Sequence, residues 1–266
     1  MLFLCRANLI QLKKIKVGAV TYLNTRPLIY RMQEENFLLK HELILDYPSK
    51  LAAMLKNGEL DVALVPVALL PELSEYHIVS DYCIASDHEV ASVCLFSEKP
   101  LSEIQRVYLD YQSKTSVALL KILFKQHWKL EVEWLTAKDE SYIDQIKEDT
   151  AGLIIGDRAL QFRERFAFRY DLATAWREMT GLPFVFAVWV SSNPLSLEWI
   201  TEFNRVQLSG LQQLNILAGE TSSIPYDLHT YYHHNISYEF DEYKQQSIRL
   251  FLQNIPELRL RTGNPA

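Results

Sequence analysis

The most constraining feature of this sequence is a regular alternation of short apolar runs and helix-like segments that begins at Ile15. Ile15–Val20, Leu43–Tyr47 and Asp61–Pro66 have the length and apolar content of buried strands. Helical segments are predicted between them, from about Pro27 to Glu35 and from Lys50 to Asn57. Strand, helix, strand, helix, strand is the order of parallel βαβ units with right-handed crossovers.

A second series of the same kind follows. Its predicted strands are Val107–Asp110, Glu131–Leu135 and Ala151–Asp157. Two further apolar runs, Ser92–Ser97 and Phe184–Val190, are predicted to connect the two series. The remainder of the chain is mostly helical, so the order is first series, second series and return to the first.

This order predicts an α/β fold of two lobes, with two mixed or parallel sheets and a ligand cleft between them. Residues 15–97 plus 183–266 are assigned to lobe 1, residues 98–182 to lobe 2, and residues 1–14 to an N-terminal extension. The carboxyl ends of strands and the amino ends of helices meet in such a cleft, which favours anions and small polar ligands.

Charge and cysteine content exclude several classes of protein. There are 27 Lys and Arg residues against 33 Asp and Glu, so the net charge is −6, whereas a nucleic-acid-binding protein usually has a basic surplus. A local basic pocket remains compatible with this total. Cys5, Cys83 and Cys94 form no CxxC pair, which argues against a disulfide framework or structural zinc and indicates reduced cytoplasmic thiols.

The sequence predicts neither a membrane span nor a signal peptide. The most apolar uncharged stretch, Gly181–Leu197, is interrupted by Pro183 and Pro194. The apolar start of the chain lasts only five residues, with no basic residue before it and no small-residue cleavage site. We therefore expect a cytoplasmic protein without a membrane partner.

Common catalytic motifs are also missing. The sequence has no GxGxxG, P-loop, GxSxG or HExxH motif. His229 and His233 are four residues apart on a predicted helix and could share a metal ion. No third ligand is placed beside them, and Tyr226, Tyr231 and Tyr232 suggest a packed aromatic surface instead. The prediction is therefore no metal and no cofactor.

Three segments are unusual, and each has two interpretations. In the turn Tyr22–Leu28, Asn24 could bind a ligand at the end of a strand, or it could cap the next helix. The helix start Ser113–Ser116 could bind a carboxylate through its N–H groups and hydroxyls, or it could be an ordinary N-cap. The run Gly181–Trp189 could form the wall of a cavity for a flat ring, or it could be an ordinary central strand.

Taken in order, these segments resemble the chorismate dehydratase family of the futalosine route to menaquinone. The resemblance extends from about Ile15 to Leu252, and its motifs are Val20–Asn24 with Pro27-Leu28, Gly58–Pro66, Ser113 with Thr115–Val117, Leu153–Leu160, and Trp176 with Thr180–Trp189. The family is similar in fold to type II periplasmic binding proteins. Its reaction removes water from chorismate to give 3-[(1-carboxyvinyl)oxy]benzoate and needs no redox cofactor, because the ring becomes aromatic.

The resemblance also implies roles for individual residues. Asn24 and Ser92 match positions implicated in placing the substrate for catalysis, and the enolpyruvyl carboxylate of the substrate is expected to act as the base. A site without a protein base would agree with the missing catalytic motifs. The predicted substrate-binding residues are Tyr22, Arg26, Ser113, Thr115, Ser116, Gly156, Asp157 and Phe186.

Two other functions remain open at this point. The same fold could serve a non-catalytic solute-binding protein for an aromatic or dicarboxylic anion. It could also serve the dihydroxynaphthoate synthase of the same pathway. The missing signal peptide argues against a periplasmic receptor, and the Tyr22–Asn24 turn with Gly181–Trp189 favours the dehydratase. The expected partner is small-molecule chorismate and not nucleic acid, and the sequence leaves the oligomeric state open.

Overall fold

A computed structural model describes residues 14–220 and 223–259, whose backbone forms two separate β-sheets with helices packed around them. The predicted N-terminal extension lies outside the described residues except for Lys14. The strands are β1 (Ile15–Ala19), β2 (His41–Leu45), β3 (Val62–Pro66), β4 (His77–Ser86), β5 (Val93–Ser97), β6 (Arg106–Leu109), β7 (Glu133–Thr136), β8 (Thr150–Ile155), β9 (Phe168–Asp171), β10 (Phe184–Ser191) and β11 (Ser237–Glu239).

The helices connect the strands within each sheet and cover their faces. They are α1 (Arg26–Ile29), α2 (Glu35–Lys40), α3 (Pro48–Lys56), α4 (Lys114–Ile122), α5 (Asp157–Gln161), α6 (Leu172–Thr180), α7 (Leu197–Leu211), α8 (Leu214–Ala218), α9 (Leu228–Thr230) and α10 (Glu242–Arg259). Several 3-10 and π-helical turns extend or join them. No helix within the described ranges is both long and apolar enough to cross a membrane.

The first sheet has six strands in the order β11-β4-β10-β3-β1-β2. Its β1, β2 and β3 are parallel, as expected for βαβ units, whereas β10 runs antiparallel between β3 and β4. Strand β3 is buried along almost its whole length, which explains its unbroken run of apolar residues. The first βα series of the prediction is thus confirmed as one sheet.

The second sheet has five strands in the order β7-β6-β8-β5-β9. Strands β6, β7 and β8 are parallel, and β5 lies antiparallel between β8 and β9. Two mixed sheets in a two-lobed α/β arrangement agree with the fold predicted from the sequence.

The placement of residues 93–97 in lobe 1 is wrong. Strand β5 belongs to the second sheet, where Val93 pairs with Ile155 and Leu95 pairs with Tyr170. All five of its residues are buried, so its apolar sequence suits either sheet equally well. The sheet that β5 joins is decided by its pairing with strands that come 50 or more residues later in the chain. The local sequence around β5 does not indicate this pairing. The chain therefore first crosses between the sheets at residues 87–92.

The last helix joins the two lobes. The indole N–H of Trp176 on α6 donates to the Ser247 hydroxyl on α10 at 3.0 Å, and both side chains are buried. The rings of Trp176, Phe184 and Phe251 meet edge to face, with centroids 5.1 to 6.1 Å apart. Helix α10 thus packs at once against β10 of the first sheet and α6 of the second, which fixes their separation.

Helix α7 crosses α1 at a contact that needs glycine. A Cβ atom built on Gly210 would lie 2.1 Å from the backbone oxygen of Pro27, far closer than any real contact. Since the oxygen belongs to the backbone, only a movement of the helices could make room. Helix α1 directly follows the Leu23–Thr25 turn, so this close approach also holds the turn that carries Asn24.

We expect Gly210→Ala to lower the free energy of unfolding by about 1–3 kcal/mol, the usual cost of overpacking a tight contact. Urea denaturation followed by tryptophan fluorescence measures this. Gly219→Ala is the matched control, because its nearest neighbour would be the Asn215 oxygen at an ordinary 3.4 Å. Equal denaturation midpoints for the two variants would contradict the close contact.

Candidate functional site

A cavity lies where the ends of strands from the two sheets face each other. The space not filled by atoms measures about 640 Å³, which includes open solvent at the mouth of the cavity. Apolar side chains from both sheets form most of its wall, and hydroxyl and amide groups form the rest. The lining residues are Val20, Tyr22, Asn24, Thr25, Pro48, Leu64, Pro66, Ile84, Val90, Ser92, Val93, Gln112, Ser113, Thr115, Ser116, Ile155, Gly156, Phe186 and Ala187.

Eight of the ten predicted site residues line this cavity, and Arg26 and Asp157 do not. The eight are Tyr22, Asn24, Ser92, Ser113, Thr115, Ser116, Gly156 and Phe186. Among the described residues that form the wall, none carries a charged side chain. An anion in this cavity would therefore be held by dipoles, through N–H, O–H and amide groups.

The two remaining residues have other partners. The Arg26 guanidinium pairs with the Glu220 carboxylate at the surface. Asp157 Oδ1 accepts a hydrogen bond at 3.1 Å from the backbone N–H of Leu23. Because Leu23 follows β1 and Asp157 follows β8, that bond joins the two lobes at the edge of the cavity. Burial raises the pKa of the Asp157 carboxyl above its ordinary value.

Asn24 lies in the middle of the 3-10 turn Leu23–Thr25, between the end of β1 and the start of α1. Its side chain is half-buried, and its Oδ1 accepts a hydrogen bond at 3.2 Å from the Thr25 hydroxyl. No helix cap is formed by Asn24, because the cap positions of the turn and of α1 are Tyr22 and Thr25, and neither has a side-chain cap bond. The amide nitrogen of Asn24 has no acceptor among the described residues, and Asn24 itself lines the cavity.

The start of α4 is both capped and partly open. Ser113 Oγ accepts from the backbone N–H of Ser116 at 3.1 Å, so Ser113 is an N-cap as one of the two interpretations required. The backbone N–H groups of Lys114 and Thr115 have no acceptor within the described part of the chain. Thr115 Oγ1 accepts instead from the backbone N–H of Ala68 at 3.2 Å, across the lobes. Capping by Ser113 therefore leaves the N–H groups of Lys114 and Thr115 unpaired among the described residues.

A hydrogen-bonded network lies behind Tyr22. Its hydroxyl donates to Gln112 Oε1 at 3.0 Å, and the Arg158 guanidinium donates to the same oxygen at 3.1 Å. Arg158 also forms an ion pair with the buried Asp110 carboxylate at 2.7 Å. The Asp110 charge therefore neutralises the guanidinium behind the cavity wall. Burial, followed by the nearby Asp110 charge, raises the pKa of Tyr22 to about 12, and its phenol is a hydrogen-bond donor at neutral pH.

The backbone of Gly156, next to the ring of Tyr22, has a conformation that requires glycine. Its φ of +65° and ψ of −149° belong to a region that residues other than glycine essentially avoid. A Cβ atom there would also touch the Tyr22 ring at 3.5 Å. Opposite this turn, the half-buried Phe186 meets Phe184 edge to face at 4.8 Å and presents an aromatic surface to the cavity. A flat ring suits the space between these groups.

Ser92 lies in a turn whose backbone has an unfavourable conformation at the preceding residue. The preceding residue, Ala91, has a φ of +61°, which is unusual for a residue with a side chain. The Ala91 N–H donates at 2.8 Å to Asp171 Oδ2, and the Ser92 carbonyl accepts from the Gly156 N–H at 2.7 Å. These two bonds hold Ser92 at the beginning of β5 with its side chain buried at the cavity.

The Asp171 carboxylate also caps helix α6. Its Oδ1 accepts from the backbone N–H groups of Ala173 and Thr174, both at 3.0 Å, and so caps α6. Removal of water around this carboxyl raises its pKa to about 6, against an ordinary 3.8. One carboxylate thus fixes both the start of α6 and the strained turn beside Ser92.

Three contributors to the site were missed by the sequence interpretation. Gln112 directly precedes the predicted helix start, but a lone glutamine has no distinguishing pattern. Asp171 stands before the amphipathic segment 172–180, which ends at Gly181, and this N-cap and C-cap signature could have revealed it. Tyr231 donates to the Ser92 hydroxyl at 2.9 Å, and its distance of 139 residues along the chain left no local signal.

The histidine pair considered for a metal is adjacent in space. The His229 and His233 rings lie 4.4 Å apart, and His233 Nε2 is 3.1 Å from Asn215 Oδ1. The described residues contain no group of three His, Cys, Asp or Glu side chains arranged to hold a metal ion. Nearby Tyr231 and Tyr232 are buried, as the packed aromatic alternative supposed.

Comparison with known proteins places this cavity in context. Residues 15–257 match the model of a family described as menaquinone biosynthesis. A chorismate dehydratase from Thermus thermophilus is 29% identical over 222 residues, which cover 76% of this chain and 79% of the relative.

Two solved structures illustrate the fold. A protein from Archaeoglobus fulgidus aligns with a TM-score of 0.70 at 15% identity, over 93% of this chain and 98% of that one. A Candida albicans protein described as having the generic periplasmic binding protein fold aligns with a TM-score of 0.57 at 13% identity, over 96% and 92%. The chain thus has the two-lobed fold of periplasmic binding proteins.

We expect Asp171→Asn to reduce the free energy of unfolding by about 1–3 kcal/mol at pH 7.5, because one acceptor oxygen becomes an NH₂ group. The pKa of about 6 lies above the ordinary 3.8, so the folded wild type binds the extra proton between these values. As the pH falls through 6, the free energy of unfolding of the wild type therefore rises relative to that of the variant. At pH 5 this increase in the difference is on the order of 1 kcal/mol.

Urea denaturation at pH 7.5 and pH 5 gives both numbers. Asp139→Asn is the control, since Asp139 also caps a turn but is exposed and holds only the Ser141 N–H and hydroxyl. Its effect should be the same at both pH values. A wild-type advantage over Asp171→Asn that shrinks at pH 5 would contradict the assigned role.

Proposed function

The chain belongs to the menaquinone-biosynthesis family, and from this membership we propose that it is a chorismate dehydratase, a carbon–oxygen lyase acting on chorismate. The product is 3-[(1-carboxyvinyl)oxy]benzoate. The observation that carries the proposal is the arrangement of Asn24, Ser92 and the start of α4 around one cavity without charged side chains. The chorismate dehydratase relative supports the same function.

The reaction needs little chemistry from the protein. The ring carbon that bears the enolpyruvyl ether loses its proton, the C–O bond to the neighbouring hydroxyl breaks, and that hydroxyl leaves as water. The electron pair of the C–H bond completes an aromatic ring, which supplies the driving force. We propose that the enolpyruvyl carboxylate takes the ring proton and passes it to the departing hydroxyl, so that water leaves and the carboxylate is regenerated, while Asn24 and Ser92 orient the reacting groups. Holding reactants in a near-attack geometry can lower a barrier by about 7–11 kcal/mol.

Carboxylate recognition is assigned to the start of α4. Chorismate carries two carboxylates, and the unpaired N–H groups of Lys114 and Thr115 offer donors at the positive end of the helix, together with the Ser116 hydroxyl, which accepts from the Ser113 hydroxyl and keeps its own proton for a ligand. The Tyr22 hydroxyl and Gly156 face the same space from the two lobes. In this scheme Arg26 and Asp157 act at the rim, where Asp157 joins the lobes through Leu23.

Two alternatives are less well supported. A non-catalytic receptor for an aromatic carboxylate would suit the fold, and the dihydroxynaphthoate synthase would suit the pathway, but the curated relative is named chorismate dehydratase. Incubation of the purified protein with chorismate, followed by chromatography and ultraviolet spectra of the products, distinguishes them. Formation of 3-[(1-carboxyvinyl)oxy]benzoate supports the dehydratase, whereas binding without product supports the receptor.

The cellular setting follows from the same assignment. We place the reaction in the futalosine route to menaquinone and in the cytoplasm, where the free thiols of Cys83 and Cys94 would stay reduced. The only partner that the proposal requires is the small-molecule substrate.

We expect Asn24→Ala to reduce turnover of chorismate by about 10- to 150-fold while the protein stays folded. This corresponds to the loss of one hydrogen bond to a charged group, about 1.5–3 kcal/mol. Steady-state kinetics and circular dichroism measure the two properties. Asn57→Ala serves as the control, because Asn57 is exposed and bonds only to Glu59. Near-normal turnover by folded Asn24→Ala would show that Asn24 does not orient the substrate.

We further expect turnover to persist after exhaustive chelation and gel filtration. The aromatising elimination needs no electron acceptor, and the proposed base belongs to the substrate. Activity before and after treatment with EDTA is compared in metal-free buffer. If chelation abolished turnover and one divalent ion restored it, His229 and His233 would become the first candidates for its ligands.

A further inference from the structure

The Ser92 hydroxyl is held from behind by a buried tyrosine. Ser92 and Tyr231 are both 0% exposed, and the Tyr231 hydroxyl lies 2.9 Å from Ser92 Oγ. Burial raises the pKa of Tyr231 well above its usual range, so its phenol keeps its proton at any physiological pH. Ser92 also lines the cavity, so the same side chain contacts both the tyrosine and the ligand space.

The direction of this hydrogen bond follows from the alternatives open to each group. Within the described residues, the Tyr231 hydroxyl has no acceptor other than Ser92 Oγ. A buried donor without an acceptor costs about 1–3 kcal/mol, so the phenol donates to Ser92. A serine hydroxyl has a single proton, and with its oxygen accepting from Tyr231 that proton is directed elsewhere. A ligand in the cavity that Ser92 lines would offer that proton an acceptor.

A local change of helix type brings Tyr231 into position. Residues Tyr231–Asn235 form a π-helical turn, closed by a bond of 3.1 Å from the Ile236 N–H to the Tyr231 carbonyl. Such turns are rare and are often found at functional sites. The turn also directs Asn235 inward, where its amide donates to the Glu89 carbonyl at 3.0 Å. The π-helical turn is thus bonded to residues 89–92 at two points, Ser92 through Tyr231 and Glu89 through Asn235.

We propose that Tyr231 is a positioning residue that makes Ser92 a hydrogen-bond donor toward an oxygen of the substrate. It rests on the proposed function, since it assigns the role that Ser92 plays there. Tyr231 transfers no proton; its donated bond fixes the Ser92 rotamer and makes the Ser92 O–H a stronger donor. A serine that accepts such a bond is a poor base, so proton removal stays with the substrate carboxylate.

The test is a double-mutant cycle in the full-length protein, with chorismate as substrate. Tyr231→Phe keeps the ring and removes the hydroxyl, and we expect kcat to fall about 5- to 10-fold, the equivalent of one hydrogen bond, with KM changed less than about 2-fold. In a Ser92→Ala background the same change should cost less than about 2-fold, because the partner is gone. Tyr238→Phe is the matched control, since its buried hydroxyl has no partner within the described ranges.

Each outcome of these measurements either supports or overturns the positioning role of Tyr231. A loss from Tyr231→Phe that persists in full in Ser92→Ala, or a loss equal to that from Tyr238→Phe, overturns the proposal. If Ser92→Ala does not fold, a crystal structure of Tyr231→Phe replaces the cycle: a rotated or doubly occupied Ser92 side chain supports the proposal and an unchanged rotamer overturns it. Wild-type protein inactive on chorismate overturns the proposed function as well, whereas active wild type with unaffected Tyr231→Phe overturns this inference alone.

Discussion

The hydrogen bond from the Ala91 backbone N–H to the Asp171 carboxylate is the interaction on which the cavity depends. It holds Ala91 at a φ of +61° at the point where the chain first crosses from one sheet to the other. An alanine in this conformation is unfavourable by itself, so the surroundings must compensate. Asp171 does so while it also caps α6, and Ser92 is then fixed by Gly156 and Tyr231. The unfavourable conformation of Ala91 is therefore stabilised by hydrogen bonds around it that come from the second sheet, its helix α6 and the C-terminal segment.

The electrostatics of the cavity come from dipoles, with the charged side chains kept behind it. Arg158 is neutralised by Asp110 and reaches the cavity only through Gln112 and Tyr22. A cation in the wall would bind a dianion tightly, but it would hold the ring carboxylate equally well in the substrate and in the transition state, because that carboxylate takes no part in the proposed elimination. Binding both equally does not lower the barrier to reaction. Donors in fixed directions can instead favour one arrangement of the ring and its hydroxyl.

Local sequence patterns predicted much of this structure. The βα units and the helix start at Ser113 follow from apolar runs and capping residues close together in the chain, and with the family resemblance 8 of the 19 residues that line the cavity were predicted. The sheet to which β5 belongs was predicted wrongly, because antiparallel pairing with β8 and β9 depends on residues far along the chain. Tyr231 and Ser92 meet for the same reason. The prediction also overlooked β9 and α6, although Asp171 and Gly181 bracket an amphipathic helix in the sequence.

An uncharged cavity has a further consequence for the proposed reaction. A carboxylate that leaves water for a site without a cation becomes more basic, because desolvation disfavours its charged form. The two carboxylates of chorismate would not be affected equally: in this scheme the one at the start of α4 is stabilised by several N–H groups and the helix dipole, whereas the other faces fewer donors, such as the Asn24 amide. The second therefore keeps the higher proton affinity. If that is the enolpyruvyl carboxylate, the protein makes the substrate its own base by solvating one end of it and leaving the other among apolar walls such as Leu64, Ile84 and Phe186.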